Sequence, residues 1–460
     1  MPKDLQEAVA LIENLTNYER MSHGCIRYNT TNFNLQAFRK WLADLGHPEF
    51  EPAVVFHVVG TKGKGSVSTM IANGLQQANI CAGLFTSPHL TRLTERIRVD
   101  LQEIDDTSFC RWTGNLIKDL SRRRSTSTDE IVGMRTMFEL LTAMGFVYFR
   151  ERQCSAVVIE AGLGGRLDAT NVFLSPNQKL INLIMPIGPE HRGILGRTVE
   201  EIAAEKAAVI QPHSHCVILA KQDSLYESAV RNAIAERMSL IDSKATVIDI
   251  GNMVPPRRKD ASGVQWTITF DDEIFTIKNR LVGEHQAWNL LTALTALIQA
   301  YPNIYGERAA VAMSQSDWPG RFECVASLPV PVVIDCAHCV LSTMSMTQAW
   351  KQCYPVEKPV VVCGFMADKE IASIAEIVLR ELHPKKLIVC STQSPRSAAV
   401  EDIEKIFRQQ DATLLTQTCE TVEDAVCAAL DTGCPVLIFG SVMMVEPARS
   451  AWMAWRKKHE

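Results

Sequence analysis

Residues 53–79, AVVFHVVGTKGKGSVSTMIANGLQQAN, constrain the fold of this chain more than any other stretch. AVVFHVV is a short, β-branched apolar run that stops at Gly60. A strand buried on both faces of a parallel sheet reads this way. The glycine- and lysine-rich segment Gly60–Ser66 follows at once. After it, Val67, Met70, Ile71 and Leu75 recur at helical spacing and form one apolar face. Strand, glycine loop and helix in that order belong to a βα unit, and parallel strands need such crossovers.

The unit repeats. AVVIE (156–160) reads as a second buried strand and runs into a GLGG turn. LINLIMPI (180–187) reads as a third, followed by the polar GPEHRG. Repeated strand–loop–helix units predict a doubly wound α/β sheet. Residues 246–277 differ. They alternate apolar and polar residues around Asp271–Asp272, which predicts an antiparallel hairpin on the edge of that sheet. A helix is expected from GEHQAWNLLTALTALIQA. The Ser-, Asp-, Pro- and Gly-bearing MSQSDWPGR marks a domain boundary. Beyond it the alternation restarts, with strands expected at 332–335, 360–364, 387–391 and 436–440. A chain of 460 residues is too long for one ordinary core. The expected division is a larger domain over 1–314 and a smaller α/β domain over 315–460.

Composition removes several function classes. A formal net charge of -5 argues against a broad nucleic-acid surface. No apolar run is long enough to span a bilayer, and the charged start MPKDLQEAVALIENL reads as an amphipathic helix without a secretory stretch. The 14 cysteines are scattered, as reduced thiols in a cytoplasmic protein are.

The glycine loop has a chemistry of its own. Glycines let backbone N–H groups approach phosphate oxygens, and the N-terminus of the following helix adds positive potential. Gly60, Thr61, Lys62, Gly63, Lys64, Gly65 and Ser66 are therefore candidate phosphate ligands. Lys64 is suited to the β- and γ-phosphates, and the Thr61 and Ser66 hydroxyls to a metal or a phosphate. The pattern departs from a standard Walker A loop, because Gly65 separates Lys64 from Ser66 and the opening glycine is absent. Glu160 ends an apolar strand, which puts a carboxylate at the carboxyl edge of the sheet, where open α/β folds bind ligands. Taken alone it is equally a structural carboxylate. His191 alone reads as an ordinary loop histidine, and Lys206 as a helix-surface lysine paired with Glu201 or Glu205.

In order along the chain stand HVVGTKGKGSVS, GLFTSPHLTRLTERIRVD, MFELLTAMGFVYF, VVIEAGLGGRLDATNV, GPEHRGILGRTVEEIAAEKAAVI, LVGEHQAWNLLTAL, WPGRFE, DCAH, GFMADKEI, SPRSAAVEDI and VLIFGSVMMV. Together they resemble the folylpolyglutamate synthase/dihydrofolate synthase family, a branch of the Mur ligase superfamily, over residues of about 50 to 445. The resemblance implies a P-loop ATPase-type N-terminal domain and a smaller Rossmann-like C-terminal domain, with the active site between them. It implies magnesium, two ions in all, held by Ser87, Glu160 and His191 and by a carbamylated Lys206. It also implies ATP contacts from Asn289, Arg321, Asp335 and His338. Lys64, Lys206, His191 and Arg321 become the expected catalytic set. Arg92, Arg96, Arg98 and Arg166 fall in blocks that border the pterin side, where each either meets an anionic substrate or is a solvated surface charge.

The implied activity is ATP-dependent ligation of L-glutamate to dihydropteroate or reduced folates through an acyl phosphate. The chain would act as a monomer on small molecules, without nucleic acid or membrane. Departures from the family pattern leave alternatives open. Asp335-Cys336-Ala337-His338-Cys339-Val340 lacks the usual Asn-Pro pair, Pro189-Glu190 precedes His191, and Ala208 replaces a glycine. A ligase for another amino acid or another acid is one alternative. A nucleotide-binding protein without turnover is a second.

Overall fold

The computed structural model describes residues 2–18, 21, 28–126, 135–260, 264–326 and 330–459. The chain divides into two compact units. The first is Met1–Pro255 with Phe270–Asp272 and Trp288–Ser316. The second is Pro256–Thr269 with Glu273–Ala287 and Asp317–Glu460.

The first unit is built on an eight-stranded sheet. Its strands are β1 (Val54–Val59), β2 (Ala82–Phe85), β3 (Ile97–Val99), β4 (Gln102–Glu103), β5 (Ala156–Glu160), β6 (Lys179–Ile184), β7 (Cys216–Leu219) and β8 (Thr246–Asp249), in the order β4-β3-β2-β5-β1-β6-β7-β8. The pairs from β2 across to β8 are parallel, and β3 and β4 are antiparallel at one edge. Every residue of β1 is buried, His57 included, as a strand in the middle of a parallel sheet requires. The predicted helix forms over Lys64–Gln77, with Val67, Met70, Ile71 and Leu75 fully buried. A Cβ on Gly74 would lie 2.5 Å from the Met313 Cε, so this helix packs closely on the helices Glu284–Ala300 and Gly306–Ser314.

The register decides what meets at the sheet's carboxyl edge. Val58 of β1 aligns with Glu160 of β5, and Phe85 of β2 aligns with Ile159. Gly60, Ser87, Glu160 and the segment after Ile184 therefore leave adjacent strands at the same edge.

One expectation fails. Residues 265–278 do form a hairpin around Asp271–Asp272, both at positive φ, but not on the edge of the large sheet. The strands β10 (Gln265–Phe270) and β11 (Glu273–Lys278) join β9 (Arg257–Arg258) in a separate three-stranded sheet. The large sheet's edge is instead taken by β8, which runs parallel to β7.

The second unit carries a six-stranded sheet of β12 (Glu323–Ala326), β13 (Val332–Ile334), β14 (Val360–Cys363), β15 (Lys386–Cys390), β16 (Thr416–Cys419) and β17 (Val436–Phe439). Its order is β12-β13-β17-β14-β15-β16, parallel except at β12. Trp350, Phe365 and Phe407 fill its core. Among the described residues, no helix is long and apolar enough to cross a membrane.

Candidate active site

The glycine loop is held by its neighbour on the sheet edge. The Thr61 and Lys62 amides both donate to the Pro186 carbonyl, at 2.9 and 3.3 Å. The Thr61 hydroxyl accepts from the Gly188 N–H at 3.2 Å. Thr61 thus braces the loop. Gly60 lies so close to Met185 that a Cβ would sit 2.5 Å from the Met185 Cβ, and Gly63, at φ +78, caps the helix. A Cβ there would stand 2.9 Å from the Asn289 Oδ1. The buried Asn289 and Ser66 and the partly buried Lys62 and Lys64 border the same loop.

Three of the predicted groups converge on it. The Lys64 ammonium donates to the Gly60 carbonyl at 3.1 Å and lies 3.9 Å from the Glu160 carboxylate. The Ser87 amide donates to the other Glu160 oxygen at 3.3 Å. His191 sits at φ +55 in the turn that runs on from Gly188, where its carbonyl accepts from Ile194 and Leu195.

Lys206 corrects the reading of its sequence. It is not a surface lysine paired across a helix turn. It is buried, and its ammonium donates to the Gly60 carbonyl at 2.9 Å. The helix Val199–Ala207 turns Ile202, Ala203, Lys206 and Ala207 inward together. Glu205 instead pairs with Arg166 at 2.7 Å, and Glu201 caps the start of the helix through the Arg197 N–H. Burial pulls the Lys206 amine down to about 7, and the charge of Lys64 on the same carbonyl adds to this. A large share of the amine is therefore neutral and nucleophilic near pH 7.

The GLGGRLDATN block folds back on these groups. A Cβ on Gly165 would lie 2.7 Å from the Glu205 carbonyl oxygen, so only a glycine lets the loop lie on the Lys206 helix. Asp168 is buried and accepts from the Leu163 N–H at 2.7 Å and from the Thr170 N–H and hydroxyl. The His57 ring pairs with the Thr170 hydroxyl at 2.8 Å. Burial lowers His57 to about 3, so the ring is neutral, while it raises Asp168. This His57–Thr170–Asp168 relay was missed from sequence. A histidine inside an otherwise apolar strand is the signal that could have found it.

The four candidate pterin-side arginines separate. Arg96 is fully buried and its Nε pairs with the His89 ring at 2.9 Å. Arg98 is mostly buried, which lowers its pKa. Arg92 pairs with Asp106 and Arg166 with Glu205, each in an exposed setting.

In the second unit, Arg321, Asp335 and His338 gather around one loop. The Asp335 carboxylate accepts from the Phe322 and Ala337 amides, at 2.7 Å each. Arg321 donates to the Gly320 carbonyl and to the Cys336 sulfur. The His338 Nδ1 lies 2.8 Å from the Cys336 carbonyl. Burial raises the Cys336 thiol to about 11, so it stays protonated. Cys339 occupies the N-cap of the helix Val340–Cys353.

Among the described residues, no three His, Cys, Asp or Glu side chains gather in a way that could hold a metal ion. The set around Glu160 has a different make-up. It offers one buried carboxylate, the Ser87 segment and an adjacent loop for phosphates, the oxygen-rich surroundings that suit magnesium, which keeps waters and nucleotide oxygens in its shell.

Residues 58–297 match the Mur ligase middle domain, and residues 320–442 match the Mur ligase glutamate ligase domain. The chain is 32% identical over 396 residues to the dihydrofolate synthase/folylpolyglutamate synthase of Bacillus subtilis, covering 83% of this chain and 86% of that protein. It is 31% identical over 362 residues to the dihydrofolate synthetase of Saccharomyces cerevisiae, covering 76% and 79%. The folylpolyglutamate synthase of Mycobacterium tuberculosis complexed with ADP shares the fold, with a TM-score of 0.82 and 24% identity over 97% of each chain. On the extent of these matches, the chain belongs to the folylpolyglutamate synthase/dihydrofolate synthase family of Mur ligases.

Proposed function

We propose that this chain is an ATP-dependent ligase that couples L-glutamate to dihydropteroate, to reduced folates, or to both, through an acyl phosphate. The observation that carries the reading is the convergence of Lys64, Glu160 and Lys206 on the Gly60 loop at the sheet's carboxyl edge. Residues 1–314 are read as the nucleotide-binding domain and 315–460 as the ligase domain. The compartment is the cytoplasm, and the partners are small molecules.

The backbone amides of Gly60–Ser66 bind the triphosphate, and Lys64 places a charge beside the phosphoryl group being transferred. Asn289, Arg321, Asp335 and His338 are the remaining nucleotide ligands in this reading. The substrate carboxylate attacks the γ-phosphorus, giving ADP and an acyl phosphate. The glutamate amine then attacks the acyl carbon and expels inorganic phosphate. Ser87, Glu160 and His191 would hold magnesium, which neutralises charge on the phosphates when bound. In this reading Lys206, in its neutral form, takes up carbon dioxide, releasing one proton and becoming a carbamate. That change puts an anion in place of the amine beside Gly60 and would supply a ligand for a second magnesium.

A second reading is favoured by one feature, the Cys339-Val340 pair that replaces the family's Asn-Pro at the start of the helix Val340–Cys353. Under it the incoming amino acid differs from glutamate. Mass spectrometry of products from ATP, a panel of amino acids, and a panel of pteroates and folates decides between them. A glutamyl amide supports the first reading. An amide of another amino acid supports the second. ADP release no higher than background with every combination rejects both.

A further inference from the structure

A cavity of about 480 Å³ opens beside the C-terminal end of the helix that bears Lys206, with Arg166, Leu167 and Asn171 of the GLGGRLDATN loop in its lining. Arg39, Arg166 and Arg237 face it, with Asn171 and Gln211 between them. No aspartate or glutamate lines it among the described residues. Two of the three guanidinium groups find only neutral partners. Arg39 donates to the Asn171 carbonyl at 2.7 Å, and its buried Nε has no hydrogen-bond partner. Arg237 donates to the Ile210 carbonyl at 3.0 Å and the Ala208 carbonyl at 3.3 Å. Carbonyl oxygens satisfy donors but cancel no charge. Burial accordingly depresses both Arg39 and Arg237. Arg166 stands at the mouth, 46% exposed, and shares its charge with Glu205.

The lining is also pre-arranged. Gln211 donates to the Asn171 side-chain oxygen at 2.9 Å, and the Asn171 amide donates to the Arg166 carbonyl at 3.3 Å. Two uncompensated, partly buried cations on a fixed polar wall form a receptor for negative charge, and a guanidinium matches carboxylate and phosphate oxygens in pairs. The volume lies within the range of small-molecule sites.

We propose that this cavity is a binding site for a small anion with at least two carboxylate or phosphate groups, separate from the glycine loop. Ala208 and Gln211 continue directly from the Lys206 helix, and Arg166 leans on Glu205, so the ligand would lie against the segments that hold Lys206 in place.

Calorimetric titration of the full chain with citrate and with inorganic phosphate at low ionic strength tests this. The wild type is compared with Lys64→Ala, which disables the glycine loop. The expected result is a saturable anion site that survives in Lys64→Ala and weakens about tenfold or more in Arg39→Gln. Tighter binding of citrate assigns a polycarboxylate, and tighter binding of phosphate assigns a phosphate ester. Loss of all anion binding in Lys64→Ala, no binding of either anion, or unchanged affinity in Arg39→Gln overturns the proposal. If Arg39→Gln does not melt cooperatively, Arg166→Glu replaces it, since that side chain is half-exposed. Reversing its charge must weaken binding about tenfold, and unchanged affinity overturns the proposal.

Discussion

Replacing Lys206 with methionine should stabilise the protein at acid pH and do so less as the pH rises. The lysine is buried, with its amine at about 7 against an ordinary 10.5. The unfolded chain therefore binds more protons than the folded chain between those values, so wild-type stability rises with pH across that window. At pH 6 the folded state holds the charged amine against nearly the whole shift, a penalty of about 5 kcal/mol. At pH 9 the folded amine is neutral, and only the cost of deprotonating the free side chain remains, about 2 kcal/mol. Methionine has a similar length and needs no partner, but its use gives up the bond to the Gly60 carbonyl, worth about 1–2 kcal/mol. Lys206→Met should thus exceed wild type by about 3 kcal/mol at pH 6 and fall to near parity at pH 9. Urea unfolding followed by circular dichroism, in buffer freed of bicarbonate so that the amine stays unmodified, measures the difference at each pH. A gap that stays constant from pH 6 to 9, or widens, refutes the reasoning. The same variant should have no ligase activity, which would mark Lys206 as a residue kept for function at the expense of stability.

Three further outcomes are expected. Gly63→Ala forces a Cβ to within 2.9 Å of the Asn289 Oδ1 at a φ of +78, and should weaken ADP binding about tenfold; calorimetry showing unchanged affinity contradicts the loop geometry. Glu160→Gln keeps the side chain's shape but removes the charge beside Lys64 and Ser87. ADP release at fixed magnesium should fall about 100-fold or more, with the melting curve little changed, and a drop under threefold excludes Glu160 from the reaction. Asp335→Ala leaves the Phe322 and Ala337 amides without their acceptor, and should destabilise the second unit by about 2–3 kcal/mol; denaturant unfolding that shifts by less than half of this shows that water replaces the carboxylate.

Much of the fold is legible because buried parallel strands leave a dense local trace. Ala156–Glu160 has the bounds that its apolar run gives, and β1, β14, β15 and β17 differ from expectation by a residue at most at each end. The three-stranded sheet was less legible, because the alternation in TITFDDEIFTI reports the hairpin but not its partner. Arg257–Arg258 carries no apolar pattern to advertise its pairing with β10.

The site follows the same rule. The glycine loop and Glu160 lie at strand ends, so local sequence places them. Lys206 depends on what its helix packs against, and charge pairing along the helix pointed the wrong way. Its burial was nonetheless written in the spacing of Ile202, Ala203, Lys206 and Ala207, where the lysine falls on the apolar stripe. His57 and Asp168 meet through Thr170 from blocks more than a hundred residues apart, which no local pattern reports.

Oxygen tracing tests the central chemistry most directly. The substrate's carboxylate oxygens are labelled with oxygen-18, and the phosphate released during ligation of glutamate is analysed by mass spectrometry. Attack of the carboxylate on the γ-phosphorus followed by loss of phosphate to the amine moves one labelled oxygen into each phosphate released. Amide formation accompanied by unlabelled phosphate, or by label in AMP, would contradict the account.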